Sequence, residues 1–259
     1  MNQRSTIKHD AGFTLIELLV AMLIGTLVVG VSLSMFQHSA RTRGIVVSTS
    51  ELQEEAFFVS HVLSQQLAQI GHRGIDESLV GGRGLPFREL DVAFPEVTGS
   101  WEAGQYLAMT SNTVSMRFYG ASNSSGTPDN SIYDCLGTPV GSNELRESTF
   151  TVNSGQLYCT VGAISAVLAG STDGFRVDNI IPMIGVDSNG DGVPDQRIAG
   201  KDATIDDFNK AKHVELRLLL GTKDNLPAVE RSFLFDGTEI TSTENRQWTE
   251  VSVSVVIRN

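Results

Sequence analysis

The sequence predicts an α+β protein, with one long N-terminal helix packed on an antiparallel β-sheet head. Three observations carry the prediction: a nearly uncharged apolar run near the start, an amphipathic helical pattern after it, and alternating strand patterns beyond. Helices and strands that occupy separate stretches of a chain favour the α+β class over a parallel α/β sheet.

Residues 13–36 read FTLIELLVAMLIGTLVVGVSLSMF and contain one charged residue, Glu17. As a helix this run spans about 36 Å, enough to cross a bilayer core. Arg4 and Lys8 precede it and favour a cytoplasmic N-terminus with the head outside the inner membrane, although Arg41 and Arg43 follow. A secretory signal peptide is the alternative, but its apolar stretch is shorter and is cut at its far end. We therefore expect an anchor.

The helix is predicted to continue over residues 37–73 as an amphipathic segment, ended by Gly71 and Gly74. Its apolar face repeats every three or four residues. That face comprises Leu52, Ala56, Val59, Leu63, Leu67 and Ile70. A coiled coil is the alternative, but the pattern is too short to favour one.

The remainder, residues 74–259, is predicted to form the β-rich head. A connecting loop is expected at 75–104, and half-buried strands where apolar and polar residues alternate, at 114–118, 214–220 and 251–255. Residues 153–155, Asn-Ser-Gly, predict a hairpin turn. Thr204 and Asp207 predict a capping box that opens a short helix.

The composition and the motif content disfavour several functions. The net charge is −11 and no basic stripe is visible, so nucleic acid is not an expected partner. The sequence contains no nucleotide-binding, serine-hydrolase or zinc-protease motif, and we expect no enzyme activity. The five histidines are scattered and predict no zinc site.

Cys135 and Cys159 are the only cysteines. In a head outside the cytoplasm they are expected to form one disulfide, closing a ring worth about 3–4 kcal/mol. Two free buried thiols are the alternative.

The segment 187–195 reads DSNGDGVPD and is similar to the first nine residues of a calcium-binding loop. The candidate ligands are the side chains of Asp187, Asn189, Asp191 and Asp195 and the carbonyl of Val193. The position that normally supplies a bidentate glutamate holds Ile198, so affinity for Ca²⁺ is expected to be weak. An Asx-rich turn that needs no ion is the alternative, and no cofactor is required.

Residues 12–17 read G-F-T-L-I-E and closely resemble the processing site of type IV prepilins and pseudopilins. The resemblance implies that residues 1–12 are a leader, that prepilin peptidase cuts after Gly12, and that Phe13 is then N-methylated. It also implies that Glu17 meets the N-terminal amine of a neighbouring subunit. A snorkelling glutamate without a partner is the alternative.

Ser34 stands where major pilins typically carry a proline, which favours a minor subunit. The segments around Cys135 and Cys159 and the C-terminal residues 255–259 are similar to those of PilW-type minor pilins. This resemblance implies an inner-membrane subunit that joins other minor pilins and the major pilin, promotes pilus assembly and enters the filament. A type II secretion pseudopilin, an adhesin head with a metal-dependent contact and a DNA-uptake subunit are the alternatives.

Overall fold

The structure is a computed structural model that describes residues 14–73, 89–123, 125–171, 174–222, 231–242 and 246–257. The chain divides into two compact units, Met1–Val47 and Ser48–Asn259, which are described separately below. The predicted leader 1–12, with Gly12, and the methylation site Phe13 lie outside the described residues.

Within those ranges the chain forms three helices and eleven strands, all strand pairs being antiparallel. The helices are α1 Leu15–Leu67, α2 Leu90–Ala93 and α3 Ile205–Asn209. The strands are β1 Leu107–Met109, β2 Thr113–Tyr119, β3 Leu145–Asn153, β4 Gln156–Val161, β5 Ile164–Ala169, β6 Arg176–Val186, β7 Gln196–Ala199, β8 Ala211–Gly221, β9 Arg231–Phe235, β10 Thr238–Ser242 and β11 Trp248–Val256. The predicted α+β class, a long N-terminal apolar helix with antiparallel sheets, is confirmed.

The strands form three sheets. The first is a five-stranded meander in the order β1-β2-β3-β4-β5, and the second has four strands in the order β11-β8-β6-β7. The third is the β9–β10 hairpin. Arg217 on β8 forms ion pairs with Asp236 in the hairpin turn and with Glu250 on β11. These bonds connect the hairpin to the four-stranded sheet.

The second unit buries the predicted apolar face of α1. Leu52, Val59, Leu63 and Leu67 are each 3% exposed or less and belong to the same core as the sheet residues. The helix ends at Leu67 and not at residue 73 as predicted, because the chain turns through residues 68–71 and Gly71 takes a positive φ of 71°. Gly74 lies outside the described residues.

Residues 75–104 were predicted to be a connecting loop, but their described part, 89–104, is a partly helical and partly buried segment. It contains α2 and buries Phe94 and Trp101. This segment covers the outer face of β2, so Arg117, which alternates with the apolar residues of the strand predicted as half-buried, is 2% exposed. Its guanidinium donates to the carbonyls of Gln105 and Pro95 and lies 5.8 Å from the Phe94 ring and 5.2 Å from the Trp101 ring.

The other local predictions agree with the structure. β3 and β4 pair through Asn153 and Gln156 across a turn in which Ser154 and Gly155 have φ values of 52° and 76°. Two successive positive φ angles are typical of a type I′ hairpin turn. Thr204 and Asp207 form the predicted capping box at the start of α3.

Candidate assembly surface

The described part of the first unit begins with a hydrogen-bonded cap. The Thr14 N–H and hydroxyl each donate to Glu17 Oε2 at 3.0 Å, and the Glu17 N–H donates to Thr14 Oγ1 at 3.3 Å. This is a reciprocal capping box, which satisfies N–H groups that have no partner inside the helix. The residues T-L-I-E fit the S/T-x-x-E pattern and could have predicted this cap. The family resemblance implied subunit pairing for Glu17, with a snorkelling glutamate as the alternative.

After this cap, the first unit presents a continuous apolar surface. The large apolar side chains from Leu15 to Phe36 are 49% to 77% exposed. By length and composition, α1 could cross a membrane.

The polar side chains within the apolar segment bond to their own helix. Thr26, Ser32 and Ser34 donate their hydroxyls to the carbonyls of Leu23, Val28 and Val31 at 2.8–2.9 Å. Because these hydroxyls are already satisfied, the segment can enter apolar surroundings without leaving a donor unpaired.

In the second unit, Cys135 and Cys159 form the predicted disulfide, with their Cα atoms 6.0 Å apart. Cys159 lies on β4 and is fully buried, whereas Cys135 lies in the connection between β2 and β3. Gln66 on α1 donates to the carbonyl of Tyr133 at 3.3 Å. The connection is thus attached to β4 by a covalent bond and to α1 by a hydrogen bond.

The acidic loop 187–195 is organised by its own backbone. Asp187, 6% exposed, accepts the N–H groups of Gly190, Asp191 and Gly192 at 2.7–3.1 Å. Asn189 Oδ1 accepts from Asp191 N–H, and Asp191 Oδ1 accepts from Val193 N–H.

Asp195 closes this loop by accepting both the N–H and the hydroxyl of Ser188. These bonds lower the pKa of Asp195 below its ordinary value, the N–H of Ser188 contributing most. Each of the four predicted side-chain ligands thus accepts an N–H. Among the described residues, no three His, Cys, Asp or Glu side chains are grouped to hold a metal ion. Calcium binding stays a prediction.

Among solved structures, a type IV-like pilin from Thermus thermophilus is similar to this chain, with 18% identity and a TM-score of 0.42. The similarity covers 80% of this chain and 96% of that one. No curated protein matches the sequence.

Residues 7–33 match the family model of the prokaryotic N-terminal methylation motif. The matched range contains the G-F-T-L-I-E site, the Thr14–Glu17 cap and most of the exposed apolar surface. The motif implies processing by prepilin peptidase and assembly with other pilins. The chain therefore carries a prokaryotic N-terminal methylation motif, and the matched range extends from the G-F-T-L-I-E site into the apolar first part of α1.

Proposed function

We propose that this chain is a minor pilin of the PilW type, which promotes assembly of a type IV pilus and enters the filament. One observation carries the proposal: the methylation motif at residues 7–33 includes the first part of α1, whose apolar side chains are exposed throughout the described part of the first unit. A surface of that kind requires lipid or other apolar helices around it.

In the proposed mechanism the N-terminus is cytoplasmic and the head is periplasmic until assembly. Cleavage after Gly12 creates a new amine on Phe13, which is then methylated. Glu17 next meets the amine of a neighbouring subunit, so that both charges are neutralised inside the apolar core. The chain's part is structural, and the proposal assigns no catalytic step to it.

Two sequence features support a minor subunit of this type. Ser34 donates to the Val31 carbonyl and leaves the helix uninterrupted at the position where major pilins carry a proline. The similarity of the segments around Cys135 and Cys159 to PilW-type subunits supports the finer assignment.

The proposal is tested by counting surface pili in a strain that lacks this gene, with and without the retraction motor. We expect pili to be lost in the single mutant and to return when retraction is also disabled. Normal pili in both strains, with secreted enzymes trapped in the periplasm, would instead identify a type II secretion pseudopilin.

The second candidate is a pilus-displayed adhesin whose acidic loop makes a metal-dependent contact. It is favoured by the occurrence of Asp187, Asn189, Asp191 and Asp195 in one short loop, of which residues 188–195 are exposed. A melting temperature of the full chain that rises at millimolar Ca²⁺, and does not rise in Asp191→Ala, would support this candidate. An unchanged melting temperature of the full chain at millimolar Ca²⁺ would count against this candidate.

A further inference from the structure

The free edge of β5 is unusual for an edge strand. β5 pairs with β4 on one side, and no described strand pairs with its other side. Its sequence, ISAVLA, contains no charge and no proline, two of the devices that normally prevent an edge from accepting another strand. Its one irregularity is a bulge at Leu168, between the pairs Tyr158–Val167 and Leu157–Ala169, so Ile164–Val167 are the regularly paired part of the edge.

The first four residues of β5 are exposed on both faces of the sheet. Ile164 is 65% exposed and Val167 is 45% exposed. Backbone N–H and C=O groups at an open edge of this kind can pair with an added strand, while exposed apolar side chains beside them supply contact area.

A groove that reaches Leu168, near the end of β5, adds negative charge close to this strand. It is lined by Glu51, Glu54, Glu55 and Phe58 of α1 and by Leu168 of β5. The three glutamates are exposed, and within the described residues no hydrogen bond or ion pair involves their carboxylates. Phe58 is 50% exposed. Three carboxylates beside the apolar side chains of Phe58 and Leu168 favour a partner with basic side chains.

We propose that the β5 edge and this groove together accept an extended segment of a neighbouring filament subunit, which adds a sixth strand and places lysine or arginine side chains against Glu51, Glu54 and Glu55. The inference rests on the proposed function, since it names the chemistry of a partner for the same head. The added strand pairs through its backbone; the side chains on one of its faces contact Ile164, and those on the other face contact Val167.

A second copy of this chain fits the edge poorly. Pairing of β5 with another β5 would bring two acidic grooves to one contact, and the chain as a whole carries a net charge of −11. Like charges in one contact oppose association. The partner segment is therefore basic and belongs to a different subunit.

The test uses the full chain in a nonionic detergent and three synthetic peptides. The first is Lys-Val-Lys-Val-Thr-Val-Lys, the second replaces each lysine with glutamate, and the third keeps the lysines but carries N-methyl groups on alternate amides. N-methylation blocks strand pairing and preserves charge, so the third peptide controls for non-specific attraction to an acidic protein. The measurement is amide hydrogen exchange across the whole chain at up to millimolar peptide.

We expect only the first peptide to slow exchange, and to do so in β5. Glu54→Lys is expected to weaken its binding about fivefold, because a charge pair is replaced by a repulsion. Glu239→Lys, which reverses one exposed charge on β10, should leave binding unchanged.

Four results of the peptide experiment would overturn the inference: no protection by the first peptide, equal effects of the first and third, equal effects of the first and second, or protection outside β5. Concentration-dependent dimerisation that protects β5 would overturn it in favour of a second copy. Because the peptides need no assembled filament, failure here leaves the proposed function standing, and the pilus counts above test that function separately.

Discussion

Thr14 donates two hydrogen bonds, from its backbone N–H and its hydroxyl, to one carboxylate oxygen of Glu17. The same carboxylate is the group that the proposed function pairs with the amine of a neighbouring subunit. Glu17 therefore has two roles to separate: it caps its own helix and it carries a charge.

Substitution of Glu17 by glutamine separates the two roles. Glutamine preserves the capping box but removes the charge, whereas alanine removes both. If the charge pairs with a neighbour, both Glu17→Gln and Glu17→Ala should stay in the membrane and fail to enter pili. The measurement is the amount of the subunit in sheared pili against that in membranes. Normal incorporation of Glu17→Gln would show that the charge is not needed.

Arg117→Lys is expected to destabilise the head by about 2–3 kcal/mol. Lysine cannot reproduce the planar fork that reaches two carbonyls and stacks beside two aromatic rings. Urea unfolding of the full chain in detergent measures the loss. Arg197→Lys is the matched control, because Arg197 is 53% exposed and its ion pair with Glu215 lies at the surface. Equal midpoints for the two variants would contradict the role given to Arg117.

The contrast between Arg117 and Thr204 shows what the sequence could predict. The Thr204 cap, the hairpin at residues 153–155 and the apolar face of α1 depend on neighbours within a few positions, and local pattern identified all three. The burial of Arg117 depends on a distant segment, 89–104, covering β2. The alternation of apolar and polar residues along β2 does not indicate that a distant segment covers one of its faces.

The candidate functional features also divide into those that local sequence predicts and those that only the three-dimensional structure shows. The G-F-T-L-I-E motif is a local signal and was visible at once. β5 was not singled out, because a six-residue apolar run has no distinctive period and its open edge is a property of the assembled sheet. The acidic loop was visible as a pattern, but its hydrogen bonds are seen only in three dimensions.

Loss of the disulfide should lower the free energy of unfolding by about 3–4 kcal/mol, from the loop-closure entropy of a 24-residue separation. The comparison is urea unfolding of the wild type with that of the Cys135→Ala, Cys159→Ala double variant. Reduction of the wild type by a thiol should produce a similar loss, and the double variant should not respond to the thiol. An unchanged unfolding midpoint in the double variant would contradict the expectation.

Ser188→Ala should lower the melting temperature in a pH-dependent manner. The folded pKa of Asp195 lies below its ordinary value because Ser188 donates to it, so this interaction stabilises the fold above the unfolded pKa of about 3.9. The stabilisation is lost as the pH falls through the folded pKa. The difference between wild type and variant should therefore be present at about pH 6 and shrink towards about pH 2. A difference that is constant over this range would contradict the assignment.

The internal bonding of Thr26, Ser32 and Ser34 has a consequence for how a subunit could leave the bilayer. Lipid hydrocarbon and neighbouring helices would contact the same apolar surface. In both surroundings each of these hydroxyls is bonded to a carbonyl of its own helix. Exchange of one surrounding for the other then breaks no hydrogen bond in this segment and exposes no new donor. Under the proposed function, moving this segment from lipid into a filament resembles a transfer between two solvents of similar polarity. The free-energy difference between the two states would then depend mainly on the interactions of the head and of Glu17.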